Sequence, residues 1–312
     1  MRRRSICWLS AASRVRSRSL STVSRVPSSV ASALNHCVET VRAHDRERYL
    51  CNLHAPAESR PGLFAVHAFN LETARVRSST SQEATAMGRF TWWREAVTQA
   101  VAGTPPSHPV AAALAHAHAA YGLTPRFLMQ LLDAREADLR VQQPLSLDDL
   151  RQYAERTAGS LLLLGLECGG IAGSDAAERA AAHAGTALGL ATLLRGTATH
   201  AAQGCTYLPK EVTTRHRVNI SQMLRGAPSA ELCGAVSEVA DEAVAHLLAA
   251  RSLQPEVPTP ARALLLPATV ADHILAQLQR HGHSPFAPQV QAPQAGVSLQ
   301  FGLLWRRHAG RY

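Results

Sequence analysis

Leu193-Leu194-Arg195-Gly196-Thr197-Ala198-Thr199-His200, continued by Gly204-Cys205-Thr206-Tyr207-Leu208-Pro209, is the stretch on which the fold of this chain turns. It reads as a helix with a mixed face, ended by a Tyr-Leu-Pro stop where proline offers no N–H to a further turn. A second stretch pairs with it far upstream: Phe64-Ala65-Val66-His67-Ala68-Phe69-Asn70-Leu71-Glu72-Thr73-Ala74-Arg75-Val76-Arg77-Ser78. It too is helical in pattern, and neither stretch alone specifies a chemistry.

Helical periodicity runs outward from both, with no convincing alternating strand. Thr124-Pro125 reads as an N-cap and first helical residue, opening a helix with Phe127, Leu128, Leu131 and Leu132 inward. Ser146 with Asp149 is a capping box, and its helix runs through Tyr153 into the leucines at 161–164. Asp175 with Glu178 repeats that device before a small-residue helix containing Gly185 and Gly189. Pro228-Ser229 opens a long helix with Leu232, Val236, Val239, Ala243 and Leu247 on one face. Thr259-Pro260 opens another, kinked at Pro267. Loops rich in glycine and proline at 103–109, 254–260 and 281–296 are too short to demand a second domain. The expectation is one all-α domain over residues 35–312. A chain of 312 residues buries enough surface to fold without disulfides or metal.

The net charge of +9 is concentrated at the start. Arg2, Arg3, Arg4, Arg14, Arg16, Arg18 and Arg25 carry +7 of it, which leaves +2 for the rest. No basic stripe of the kind that grips phosphodiester backbones remains, so nucleic acid is excluded as a partner. Residues 1–34 are rich in arginine and serine and free of acids, the composition of a mitochondrial transit peptide. The apolar run Ile6-Cys7-Trp8-Leu9 is too short for a secretory signal. Residues 161–172 are apolar but too short to span a bilayer and contain Glu167, so any membrane contact is peripheral. The six cysteines include no Cys-x-x-Cys pair. His116 and His118 stand two apart on a helix and point to different sides, and His281 and His283 fall in a Gly/Pro loop; neither pair argues for a metal.

Together the two quoted stretches resemble the squalene/phytoene synthase family. There an Ala-Phe helix carries one Asp-rich motif, and a later helix carries a second that runs on to Tyr-Leu-Pro. Residues 89–93 resemble the family's Trp-bearing helix, Tyr153-Ala154-Glu155-Arg156-Thr157-Ala158-Gly159-Ser160 its Arg-x-Ala-Gly helix, and residues 263–278 its Leu-Leu-Pro helix. The likeness is colinear from about residue 40 to residue 280. It implies the helical isoprenoid synthase fold. The family reaction condenses two prenyl diphosphates, each held by Mg²⁺, a hard cation that takes carboxylate oxygens. Asp-x-x-x-Asp supplies two carboxylates on one helical face.

The departures from that pattern matter most. The acids of the first motif fall at Ala74 and Ser78, and those of the second at Gly196 and His200. Methyl, hydroxyl, hydrogen and imidazole do not replace them as Mg²⁺ ligands, and without the metal the leaving diphosphate loses its main charge stabilisation. Asp133 with Asp138, five apart, and Asp148 with Asp149, in a first helical turn, read as structural. The resemblance narrows to the family's non-catalytic mitochondrial branch, whose members help build respiratory complex I. It implies no catalytic residue, no metal and no cofactor, partners among complex I subunits or other assembly factors, and peripheral contact with the matrix side of the inner membrane. The competing readings are a lipid or isoprenoid carrier and an active prenyl transferase that uses other acids.

Losing four carboxylates should turn the vestigial cavity positive. Arg75, Arg77, Arg195, His200 and Tyr207 are its candidate residues. Helical spacing places Arg77 about 60° and Arg75 about 100° from the Ala74 face, which leaves their directions open. Cations facing inward would hold an anionic lipid headgroup directly; the alternative is a collapsed cavity with the arginines solvated or paired. The segment 299–312 mixes Phe301, Leu303, Leu304 and Trp305 with Arg306, Arg307 and Arg311, fitting either an anionic membrane surface or a last helix packed on the body.

Overall fold

Alanine and leucine recur at helical spacing along the chain, and side-chain caps at Asp45, Ser146, Ser174, Asn219 and Ser229 open five of the helices. The computed structural model describes residues 28–79, 82–171, 173–292 and 296–312. Residues 1–27 of the expected leader lie outside them. Residues 28–34, which the sequence reading joins to that leader, begin a helix instead, with Ala33 buried.

The helices run in chain order as α1 (Ser28–His44), α2 (Arg46–His54), α3 (Arg60–Ala74), α4 (Val76–Ser79), α5 (Glu83–Val101) and α6 (Pro109–Tyr121). Next come α7 (Pro125–Asp138), α8 (Leu147–Ala154), α9 (Ser160–Cys168), α10 (Asp175–Arg195), α11 (Thr197–Ala202) and α12 (Lys210–Arg215). The last are α13 (Ile220–Leu224), α14 (Ala230–Ser252), α15 (Thr259–Arg262), α16 (Ala268–Arg280), α17 (Pro288–Gln291) and α18 (Val297–His308). No strand occurs among the described residues.

Several starts follow the sequence reading. Ser146 and Asp149 form the reciprocal capping box of α8, Ser229 caps α14, and Pro125 is the first residue of α7 behind Thr124. Two differ. The cap of α10 is Ser174, whose hydroxyl accepts from the Ala177 N–H, while the Glu178 carboxylate reaches back to the Gly173 N–H. Asp175 is the first helical residue, where its charge favours the dipole without capping. Pro267 does not kink one helix. It ends the chain's turn after α15 and stands at the start of α16, where its missing N–H costs nothing.

The centre of the fold is α10, packed by α14, α16, α9 and α8. Its buried face is built of Ala177, Ala180, Ala181, Ala184, Gly185, Ala187, Leu188, Gly189 and Ala191. Between α8 and α9 the chain makes a π-helical turn over Glu155–Gly159, with the Thr157 hydroxyl donating to the Tyr153 carbonyl at 2.7 Å. That turn lies directly on α10. A Cβ on Gly185 would come within 2.5 Å of the Gly159 Cα, and one on Gly189 within 2.7 Å of the Ala154 Cβ. Two glycines therefore allow the backbones to cross closely, and the crossing fixes where Tyr153 and Thr157 enter the interior. Among the described residues no helix is long and apolar enough to cross a membrane.

Candidate functional site

Where α2, α3, α4, α7, α8, α10 and α11 meet, a cavity of about 540 Å³ opens. It has not collapsed. Its polar wall comes from Arg46, Arg48, Arg77, Arg135 and Arg195, set against Asp45, Glu47 and Asp138. Its apolar wall includes Phe90, Leu161, Leu188 and Val270. Arginines outnumber acids along this lining, so its formal balance is positive.

Arg77 is placed by the short α4, which follows the break at Ala74 and buries Val76. Its guanidinium donates to the Asp138 carboxylate at 2.8 Å, to the Asp138 carbonyl at 2.9 Å, to the Tyr207 hydroxyl at 3.2 Å and to the Val141 carbonyl at 2.9 Å. The Tyr207 hydroxyl donates to the same carboxylate. Burial opposes the charge on Arg77, and Asp138 overcomes that penalty, holding its pKa above the ordinary range. Tyr207 stacks on Tyr153 at 5.6 Å and meets the His200 ring edge-on at 4.6 Å. Burial, then the neighbouring Tyr153 and Asp138, push the Tyr207 phenol well above its ordinary range.

A second pair closes the other side. Arg195 grips Glu47 with two bonds, at 2.5 and 3.0 Å, and the Glu47 side chain is 7% exposed. Asp45 spends a carboxylate oxygen on the Arg48 N–H as the N-cap of α2. Burial raises the Asp45 pKa, against the pull of Arg48. Arg135 reaches the Asn70 carbonyl at 2.9 Å and the Asn70 side-chain oxygen at 2.7 Å. It bonds no carboxylate, and burial lowers its pKa.

Three buried side-chain nitrogens on residues that line this cavity have no hydrogen-bond partner: Nη1 of Arg48, Nε of Arg135 and Nδ1 of His200. Buried polar atoms are nearly always bonded, so three orphans among the lining residues of one chamber are unusual. The nearby acids do not quench them, being already committed to Arg77, Tyr207, Arg195 and the α2 cap.

The residues named from sequence do not all gather here. Arg77, Arg195, His200 and Tyr207 line the cavity, and so does Ala74. Arg75 does not; it is exposed and lies outside the lining. One residue separates it from Arg77, which at helical pitch turns it to solvent. Ser78 is likewise exposed, with its hydroxyl on the Arg75 carbonyl. Gly196 is coupled to His200, since a Cβ there would come within 2.6 Å of the imidazole. Asp133 lies away from the cavity, bonded to Arg94, and Asp148 is paired with Arg151. Asp138, set aside in the sequence as structural, is the carboxylate at the heart of the site. Arg48, Arg135, Asp45 and Glu47 were not read from sequence at all.

A magnesium–diphosphate cage does not fit this donor set. Among the described residues no three His, Cys, Asp or Glu side chains converge as a metal would require. Of the carboxylates that reach the chamber, Asp138 and Glu47 answer arginines and Asp45 caps α2.

Squalene/phytoene synthase is also the family whose model matches residues 41–299. The chain belongs to that family. A human relative, NADH dehydrogenase (ubiquinone) complex I, assembly factor 6, is 35% identical over 274 residues, covering 88% of this chain and 82% of its own. The Drosophila melanogaster homolog of that factor is 34% identical, covering 78% and 75%. Among solved structures, squalene synthase HpnC from Alicyclobacillus acidocaldarius matches with a TM-score of 0.73 at 23% identity, over 83% of this chain and 98% of its own. That likeness speaks to the fold, which is the all-helical synthase fold expected from the sequence.

Within this family member His67, which is buried, and His200, which is half-buried, titrate low. Burial, aided by Arg48, takes His67 down to about 3, and burial, aided by Arg77, takes His200 down to about 4. Both start from 6.5, so below that pH the unfolded chain binds protons that the folded chain refuses. Stability contributed by the neutral rings is whole above pH 6.5 and is lost as pH falls toward 4. The urea midpoint should therefore drop across that window, and His200→Gln should flatten part of the drop. A midpoint equally steep in the variant would contradict the assignment to His200.

Proposed function

We propose that this chain is a non-catalytic assembly factor for respiratory complex I, acting in mitochondria as a peripheral protein on the matrix side of the inner membrane. The observation that carries the reading is its kinship with the human and fly relatives above, at more than a third identity over most of both chains. The site supports the absence of catalysis. The family's four acid positions are taken here by Ala74, Ser78, Gly196 and His200. Electrostatic stabilisation of a departing diphosphate would need free metal-binding oxygens, and Asp138 and Glu47 are neutralised by their arginines. The arginine-rich leader composition of residues 1–34 fits import.

The excess of arginines over acids in the cavity lining favours one addition to this reading. A cavity with a cationic floor and apolar walls suits a ligand with an anionic headgroup and a hydrocarbon tail, such as a phospholipid or an isoprenoid phosphate. The headgroup would lie against the arginine-rich wall that includes Arg48 and Arg135, with no metal between.

A tagged copy of the full chain, purified gently from mitochondria, should bring down complex I subunits or other assembly factors. Recovery of the chain with none of them would contradict the assembly role. Native mass spectrometry of the same preparation should show a bound anionic lipid in the wild type that is lost in Arg135→Gln; equal occupancy would remove the headgroup assignment and leave the assembly role standing.

A further inference from the structure

Helix α18 is apolar on two opposite faces. Leu299 and Leu303 are fully buried where it packs on α16 and α2. Arg306 also turns inward and meets Asp272 at 2.8 Å. A helix packed in this way normally shows a polar outer face. This one shows Val297, Phe301, Leu304 and Trp305, exposed at 82%, 68%, 47% and 52%. At 100° per residue these four fall within one sector pointing directly away from the body.

The charge along the segment that carries that strip has one sign. From residue 273 to residue 312 the sequence contains no Asp or Glu, while Arg280, Arg306, Arg307 and Arg311 stand in it. Asp272, the nearest acid before it, is bonded by both Arg251 and Arg306. Arg307 and His308 are exposed at the end of the helix, and the exposed Arg311 lies over the Trp305 ring at 5.9 Å. A protein partner would need an acidic rim around an apolar groove. A bilayer surface with anionic lipid presents both features over any area, and aromatic side chains beside arginines suit its interfacial zone.

We propose that α18 is the membrane-docking element of this protein, lying flat on an anionic bilayer with Phe301, Leu304 and Trp305 sunk among the acyl chains and Arg307 and Arg311 at the headgroups. This deepens the peripheral membrane contact proposed above. The cavity takes no part in it, and complex I assembly is not its readout, so the two fail separately.

The test uses the full chain with vesicles of phosphatidylcholine, alone or mixed with cardiolipin, carrying brominated acyl chains that quench buried indoles. Subtracting the emission of Trp305→Phe from that of the wild type isolates Trp305 from Trp8, Trp92 and Trp93. The difference signal should be quenched by cardiolipin vesicles and spared by phosphatidylcholine alone. Flotation should show Phe301→Ser/Leu304→Ser partitioning about tenfold less than wild type, because two interfacial anchors are gone. Arg307→Gln/Arg311→Gln should lose about tenfold at low salt and little at high salt. An unquenched Trp305 signal on cardiolipin vesicles overturns the proposal whatever the variants do. So does flotation of a folded Phe301→Ser/Leu304→Ser protein equal to the wild type.

Discussion

Cells deprived of this chain should keep only a small residual fraction of assembled complex I and of its NADH oxidation, while the other respiratory complexes persist. The expectation follows from the proposed assembly role. A factor that acts during building has a selective effect, because the finished complexes that do not need it are untouched. Returning the full chain should restore complex I. The cavity adds a sharper arm. Ala74→Asp adds an acid to the cavity wall and Ser78→Asp adds one on the exposed side of α4, both leaving Arg77 in place, and in this account neither creates an enzyme nor removes the assembly role through lost chemistry. Blue-native gels with in-gel NADH oxidation read the outcome. Normal complex I in a clean deletion would refute the role.

Removing Asp138 should cost a large part of the protein's stability. Its side chain is 8% exposed and answers both Arg77 and Tyr207. Asp138→Ala would leave the Arg77 guanidinium half-buried beside other arginines with no counter-charge. Breaking a buried pair from one side costs about 3–5 kcal/mol, against a total stability of about 5–15 kcal/mol for a domain. The variant should therefore melt well below the wild type or accumulate poorly. Replacing the pair together, as Asp138→Leu with Arg77→Met, should recover much of the loss, because no charge is then stranded. Urea melts of the three proteins decide it. A loss under about 1 kcal/mol in Asp138→Ala would mean that the pair is solvated like a surface bridge.

What the sequence made legible was local. The capping box at Ser146, the cap at Ser229 and the Thr124-Pro125 start each depend on residues within one helical turn, and the structure has all three. The small-residue helix α10 was legible as a helix, although its cap is Ser174 and not Asp175. The site was legible only where a family motif named it. Arg77 bonds Asp138 across 61 residues and Arg195 bonds Glu47 across 148. Nothing in the residues beside Glu47 or Arg135 marks them as facing a cavity. Judging Asp138 by its spacing from Asp133 misled, because its partners come from α4 and from the segment after α11. One signal was available: a cavity arginine without acids at the family's motif positions must find another carboxylate or remain charged in a poor solvent.

Phe301 and Trp305 teach a related lesson. The sequence allowed either a packed helix or a membrane-facing one, and the structure has packed one face of α18 while leaving an apolar strip outside. Periodicity finds a stripe of apolar residues; it does not tell which of two stripes meets the body.

Release of pyrophosphate tests most directly the proposal that a synthase fold persists here without synthase chemistry. Purified protein given Mg²⁺ and farnesyl or geranylgeranyl diphosphate should release none above the buffer background, with or without a reductant. Sustained, protein-dependent release that is abolished by removing Mg²⁺ would contradict the account.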